Sequence, residues 1–332
     1  MRITVLSVRT LVLICVFFAS SLKTFSQSIT AGNGRFEVGL ALGPLFFLGD
    51  LGGNYGTGKN NLKDVNFPLT NISKGLFLNV YPAEWLGLRV AINQGVLEGY
   101  DNIIKDKGGD ETFRKLRNLQ FKSNMVEAYG AIEFYPTVFF EKYDGLKGKL
   151  RPYGLVGFGI FKFNPKGEYF DPNGTSRWVE LAPLHLEGQG FLEYPERKPY
   201  SLTSFEMPLG VGFKYYFQEN KYVGFEVTHR KSFTDYVDDV STTYIDAKLF
   251  DKYLTPENAT MAKQLFYREN YVPGPGGAPV QRMEPPGYEE QRGDPKDNDS
   301  FFSSIIRFGW RLNDKNSPEG RAARQMRCPS FY

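Results

Sequence analysis

The sequence predicts an all-β protein, a closed, antiparallel, eight-stranded transmembrane β-barrel. Three observations predict it: eight segments of period-two hydrophobicity, links between them that are alternately long and short, and aromatic residues gathered at the segment ends. The composition agrees, with 29 Phe, 20 Tyr and 35 Gly against 2 Cys in 332 residues. Aromatics favour strands, and Gly suits turns and crowded interiors. Only 41% of the residues are hydrophobic, which excludes a bundle of apolar membrane helices.

The first segment is FEVGLALGPLFFL (36–48), in which Phe36, Val38, Leu40 and Leu42 face one way and Glu37, Gly39, Ala41 and Gly43 the other. The second is 74–81, and the third is WLGLRVAIN (85–93), where Leu86, Leu88, Val90 and Ile92 oppose Gly87, Arg89, Ala91 and Asn93. The remaining five are 125–135, 153–163, 205–217, 222–233 and 301–312. A soluble sandwich would bury the apolar face and carry a richly polar second face. Here the second face is mostly Gly and Ala with isolated charges, which suits the narrow lumen of a small barrel. Its charges balance: Glu37, Glu127, Glu133, Glu206 and Glu226 stand against Arg89, Lys214, Arg230, Arg307 and Arg311. Charges in so narrow a space are costly unless paired, so a lattice of ion pairs filling the lumen is expected, with some members at strand ends in water.

The links at 49–73, 94–124, 164–204 and 234–300 are long, and those at 82–84, 136–152 and 218–221 are shorter. That asymmetry is the one found in outer-membrane barrels, with long extracellular loops and shorter periplasmic turns, and the parity then puts both termini in the periplasm. Phe36, Tyr81, Trp85, Phe134, Tyr135, Tyr153, Tyr215, Phe217, Tyr222 and Trp310 fall at segment ends on the turn side, and Phe46, Phe163, Phe205, Phe233 and Phe301 at the loop side. Two aromatic girdles around an apolar band are expected of a lipid-spanning barrel.

The N-terminus fits the same compartment. Arg2 and Arg9 flank an apolar run, Leu11 to Ala19, and Thr24 and Ser26 precede a plausible cut before Gln27, so residues 1–26 read as a signal peptide. The barrel then occupies 27–312 and a periplasmic tail 313–332. Removing 1–26 deletes Arg2, Arg9 and Lys23 and no acid, leaving 37 basic against 37 acidic residues, with no basic excess for a nucleic-acid partner. Cys15 leaves with the signal, so Cys328 has no internal partner and is either idle or available to another chain. Arg321, Arg324 and Arg327 beside it would lower a thiol's pKa and ready it for exchange.

Catalytic signals are scarce. His185 falls in a loop, and His229 has Ser232 and Glu226 three residues to either side, which on a strand point to the opposite face. The glycines of GLVGFGIF (154–161) have no helix after them, so no dinucleotide loop is expected, and no cofactor is implied. The acids of DYVDD (235–239) could hold Ca²⁺ but read more simply as a solvated loop face, and no metal is assigned. Within the fourth long link, Thr255 can cap a helix over 255–270, with Pro256 in its first turn, while 271–300 reads as irregular and exposed.

Several stretches carry a more specific likeness: GPLFFLGDLGG (43–53), RPYGLVGFGIFKFNP (151–165), WVELAPLHLEGQG (178–190), YSLTSFEMPLGVGFKY (200–215), RKSFTDYVDDVSTTY (230–244), RGDPKDNDSFF (292–302) and the tail RCPSFY (327–332). Together they resemble the PorG-type outer-membrane barrel of the Bacteroidota type IX secretion system. The resemblance covers nearly the whole mature chain, with 245–291 poorly matched. It implies a non-enzymatic accessory of the protein export machinery, which in some members supports gliding, associated with a periplasmic ring made by a lipoprotein and its partner subunit. It also favours a disulfide between Cys328 and a ring subunit, with Arg321, Arg324 and Arg327 at the same contact. The rival readings are a binding barrel that grips a surface ligand or protein with its outer loops, a lipid-modifying barrel enzyme, and a narrow porin.

Overall fold

The computed structural model describes residues 36–51, 70–104, 117–141, 146–268, 272–273, 279–280 and 290–312. The signal segment and the tail with Cys328, Arg321, Arg324 and Arg327 lie outside the described residues.

Eight long strands form the wall: β1 (Phe36–Leu48), β2 (Asn71–Ala83), β3 (Leu86–Tyr100), β4 (Gln120–Phe134), β5 (Leu150–Lys162), β8 (Thr203–Gln218), β9 (Lys221–Ser232) and β12 (Ser300–Leu312). The short hairpin β6 (Pro165–Phe170) and β7 (Ser176–Glu180) lies between β5 and β8, and the two-residue pair β10 (Val272–Pro273) and β11 (Pro279–Val280) between β9 and β12. Every neighbouring pair in the wall is antiparallel. β1 pairs with β12 from Phe36↔Leu312 to Leu48↔Ser300, and β3 pairs with β4 from Leu86↔Phe134 to Tyr100↔Gln120. With those two seams made, the order β1-β2-β3-β4-β5-β8-β9-β12 closes on itself. Closure leaves no edge in the wall, so every strand's backbone groups have a partner there, as a low-dielectric surrounding demands.

Exposure alternates along each strand as the period of two requires. On β1 the apolar Phe36, Val38, Leu40 and Leu42 point out while Glu37, Gly39 and Ala41 point in. The outer face is an almost unbroken apolar band, including Ile72, Leu76, Val90, Ile92, Val126, Ile132, Leu209, Val211, Ile306 and Phe308. A soluble monomer rarely exposes apolar surface on that scale, and a hydrocarbon surrounding accounts for it. No described helix is long and apolar enough to cross a membrane.

The observed strands run longer than the period-two segments, chiefly at the loop end: β3 extends to Tyr100 and β4 begins at Gln120. They therefore stand above the lipid-facing band and carry a cap. β6 continues the sheet from β4 through Lys122↔Lys166 and Ser123↔Pro165, and β7 lies against β6. Two helices follow, α1 (Lys248–Tyr253) and α2 (Pro256–Leu265). Thr255 caps α2 by accepting from the Asn258 amide at 3.4 Å, with Pro256 in the first turn, where its missing N–H costs nothing. The cap has its own apolar core, in which Leu186, Phe191, Val237, Phe250 and Phe266 pack continuously with Phe121, Met125, Phe161 and Phe301 from the upper lumen.

Two expectations are corrected here. The aromatics at strand ends do not all face lipid: Tyr81, Tyr135, Tyr153 and Tyr222 are buried in the lumen, and Phe46, Phe163 and Phe301 are also buried at the loop end. Phe36, Phe134, Tyr215, Phe217 and Trp310 do face outward, with Phe205 and Phe233 at the other end. Phe134 and Tyr135 are adjacent in sequence, and adjacent residues on a strand point to opposite faces. The second correction concerns 271–300, where Arg292 and Asp299 are buried rather than exposed.

Candidate functional site

The lumen is filled by acidic and basic side chains in layers. All ten predicted members, Glu37, Arg89, Glu127, Glu133, Glu206, Lys214, Glu226, Arg230, Arg307 and Arg311, point inward and are at most 1% exposed, so none of them sits at a strand end in water. Toward the turn end, Lys214 donates to Glu37 at 2.8 Å and to the Tyr81 hydroxyl at 2.7 Å, with Glu133 at 3.4 Å. Rings of Tyr81, Tyr135, Tyr153 and Tyr222 surround the same ammonium, with centroids 4.7–5.5 Å away. A buried cation gains from such ring faces as well as from its carboxylates.

In the middle layer Arg89 pairs with Glu226 at 2.6 Å and with Glu133, and Tyr153 donates to Glu226 at 2.6 Å. Arg307 lies 3.5 Å from Glu226, its guanidinium 4.2 Å above the Phe77 ring. Toward the loop end Arg230 pairs with Glu127 at 2.7 Å and donates to the Ser303 hydroxyl at 2.8 Å. Glu206 makes no ion pair among the described residues, and the charges that bear on it are those of Glu127 and Arg230. Small residues make room for these long side chains. A Cβ on Gly309 would stand 2.1 Å from the Tyr222 ring, and one on Gly39 would stand 2.3 Å from Phe77.

A further layer at the turn end was not legible as part of the lattice. Glu84, in the tight turn between β2 and β3, accepts from Arg311 at 3.1 Å and from Arg151 at 2.7 Å, and Arg151 also reaches Glu141 at 2.8 Å. Glu141 is only partly buried, and its hydrogen bond from Arg151 is the largest influence holding its carboxyl below the usual range against desolvation. Arg151 sits directly opposite Lys214 across β5 and β8, a register that the sequence alone does not give, and like charges so placed repel unless acids from neighbouring segments meet them.

Above the lumen lies a second cluster of charge of a different kind. Arg292 pairs with Glu187 at 2.7 Å, and Glu187 also accepts from the Ser241 and Thr242 amides at 2.9 and 3.0 Å. Arg117 pairs with Asp101 at 2.8 Å and donates to the Asp50 carbonyl at 2.7 Å, which ties the first two loops together. The acids of 235–239 are not a solvated face. Asp238 accepts from the Leu51 and Val240 amides, Asp239 accepts from the Tyr200 hydroxyl at 2.6 Å, and Asp299 accepts from the Val237 amide at 2.8 Å. Burial pushes these carboxyls up: Asp50 to about 6, Asp239 to about 7, Asp235 to about 9, and Asp238 and Asp299 well above the usual range. Among the described residues no three such side chains converge to hold a metal ion.

His185 lies in the cap at positive φ, 48°. His229 is half-buried on the outer face of β9, whereas Glu226 and Ser232 are buried on the inner face. The strand keeps that histidine away from both groups it would need for nucleophilic chemistry.

Neither a family model nor a curated protein matches the chain. Three solved structures are similar to it at low identity. The outer membrane protein OprG of Pseudomonas aeruginosa is 11% identical, with 86% of this chain and 100% of that one covered and a TM-score of 0.33. Ail, the attachment invasion locus protein of Yersinia pestis, is 8% identical, with 84% and 98% covered and a TM-score of 0.32. The N-terminal β-barrel domain of OprF from Pseudomonas aeruginosa is 8% identical, with 83% and 99% covered and a TM-score of 0.27. The fold assignment rests on the closed strand order and the apolar outer face of this chain.

Proposed function

We propose that the protein is a non-enzymatic outer-membrane component of the type IX secretion machinery that anchors or docks the periplasmic ring complex at the outer membrane. The observation that carries the anchoring role is the double closure of the barrel. Ion pairs fill the lumen from Glu84 to Arg230, and an apolar core closes the loop end above them. A body so closed is suited to holding a fixed position in the membrane rather than passing solutes. The secretion role is supported by the resemblance of 43–53, 151–165, 200–215 and 327–332 to the PorG-type barrel. In this reading the loops are extracellular, both termini are periplasmic, and Cys328 with Arg321, Arg324 and Arg327 meets the ring lipoprotein or its partner subunit.

Affinity purification from gently solubilised membranes tests the reading, with co-purification of the ring lipoprotein and its partner as the expected result. Non-reducing electrophoresis of whole cells should show a heavier adduct that Cys328→Ser abolishes. A free, alkylatable thiol on a monomer would remove the crosslink. Intact cells treated with protease should be cut only in the long links, and cleavage within 136–150 would reverse the orientation.

One observation favours a second reading, a binding barrel that works through its long outer loops. The loops fold into a cap with a core and two helices, so they can present a fixed surface to a ligand or protein. Purification without ring proteins but with a cell-surface partner would support it.

A further inference from the structure

The connection between β4 and β5 is unlike the other two at the turn end. β2 and β3 are joined by Glu84 and Trp85 alone, and β8 and β9 by Glu219 and Asn220, whereas residues 135–149 link β4 to β5. Its first part is a single turn of 3₁₀-helix, Pro136–Phe140, followed by Glu141. That turn is fixed at both ends. The Tyr135 amide donates to the Trp85 carbonyl at 2.9 Å, and Glu141 is gripped by Arg151 at 2.8 Å.

The turn is two-faced. Val138 packs inward against the lumen cluster, while Phe139 is 55% exposed and Phe140 88%. Phe139 is continuous with the lipid-facing wall: its ring lies 5.9 Å from Trp85 and 6.2 Å from Phe134, and those two meet edge-on at 6.1 Å. Leu150, the first residue of β5, is 56% exposed on the same outer face, beside Tyr215 in the neighbouring strand. Two adjacent phenylalanines held outward by a clamped turn, with no polar tip to satisfy, extend an apolar wall rather than meet water.

We propose that Pro136–Phe140 is an interfacial anchor whose Phe139 and Phe140 rings insert at the headgroup–acyl boundary of the leaflet at the turn end. The occupant is lipid, because the Phe139 ring continues a face that already meets lipid and the exposed Phe140 is its neighbour on the same clamped turn. The proposal rests on the barrel wall and not on the secretion role. Aromatic rings at this depth resist vertical slippage and tilt, and here the same turn both closes the lumen through Val138 and grips the bilayer through Phe139 and Phe140.

Nitroxide depth measurements test it. In the full chain carrying Cys15→Ser and Cys328→Ser, single cysteines are introduced as Phe140→Cys, Ile132→Cys and Lys147→Cys, spin-labelled, and reconstituted in phosphatidylethanolamine–phosphatidylglycerol vesicles. Ile132 is a lipid-facing reference and Lys147 an exposed one. The label at 140 should be relaxed more by oxygen than by a water-soluble nickel chelate, in the direction of the label at 132. A label at 140 relaxed by nickel as strongly as that at 147 would overturn the anchor, and so would one shielded from both reagents, which would assign the rings to protein. Heat-modifiable migration of each variant in gels verifies that the barrel has formed.

Discussion

The lumen and the cap both bury charge, and they balance it differently. In the lumen and its turn-end mouth the buried acids Glu37, Glu84, Glu127, Glu133, Glu206 and Glu226 stand against Arg89, Arg151, Lys214, Arg230, Arg307 and Arg311, six and six among the described residues. In the cap, among the described residues, the buried acids Asp101, Glu187, Asp235, Asp238, Asp239 and Asp299 stand against the buried bases Arg117, Arg268 and Arg292, and Arg268 gives a donor to the Glu168 carbonyl. Inside the membrane no water can relieve a lone charge, and every lumen acid named except Glu206 is met by an opposite charge. In the cap, Glu187 and Asp101 have Arg292 and Arg117, while Asp238 and Asp299 are met by backbone amides and Asp239 by the Tyr200 hydroxyl, and burial pushes those three carboxyls up. The lumen is therefore held by pairs that cannot be removed singly, and the cap by carboxyls that pH can address.

The largest effect should come from breaking a lumen pair. Arg89→Leu leaves Glu226 and Glu133 short of a cation and should destabilise the barrel by about 3–5 kcal/mol in reversible denaturation. Loss of only a few tenths would show that the lumen tolerates imbalance as the cap does. A smaller loss is expected from Gly309→Ala, whose Cβ would stand 2.1 Å from the Tyr222 ring. Overpacking of that kind costs about 1–3 kcal/mol.

The cap should answer to pH. A carboxyl whose folded pKa lies above its unfolded value binds more protons when folded, so its contribution is fully present below the unfolded value and is lost as pH rises through the folded one. For Asp50, Asp239 and Asp235 that window runs from the ordinary carboxylate range through about 6, 7 and 9 respectively. Hydrogen-exchange protection factors in 234–268, taken relative to the intrinsic exchange rate at each pH, should therefore fall from pH 5 to pH 9, and Asp235→Asn should flatten the fall at its upper end. Equal protection at both values would break the contrast between the regions. The smallest effect is a null one: the reconstituted wild type should pass little or no current, and large, stable single-channel currents would mean that neither closure holds.

How much of this could be read beforehand differs between the two regions. The ten lumen charges were legible because a strand's period of two assigns each residue to a face, and Gly and Ala beside Glu and Arg identify the inner one. Their pairing was not legible, since Arg89 meets Glu226 across the lumen, 137 residues away. Tyr81 and Tyr135 were read as girdle residues because their position along the strand is visible in sequence while the buried face that claims their hydroxyls is not. Thr255 and Pro256 announced α2, whereas the start of α1 is marked only by Asp246, which accepts from the Lys248 amide at 2.9 Å, with Ala247 at the N-cap position. The acids of 235–239 looked solvated because nothing local shows that the loops before β2 and after β9 meet over them.

The sequence by itself determined the wall: eight alternating segments, an apolar outer face, a charge-balanced inner face and the alternation of long and short links. Those are local properties, since strand periodicity and link length need no knowledge of distant partners. Only the tertiary structure decided which acid meets which base, that Glu84, Arg151 and Glu141 close the turn end, and that the described parts of the long loops build a cored cap. Those depend on register and closure, which bring residues far apart in the chain to one height in the barrel, and no local pattern carries that information.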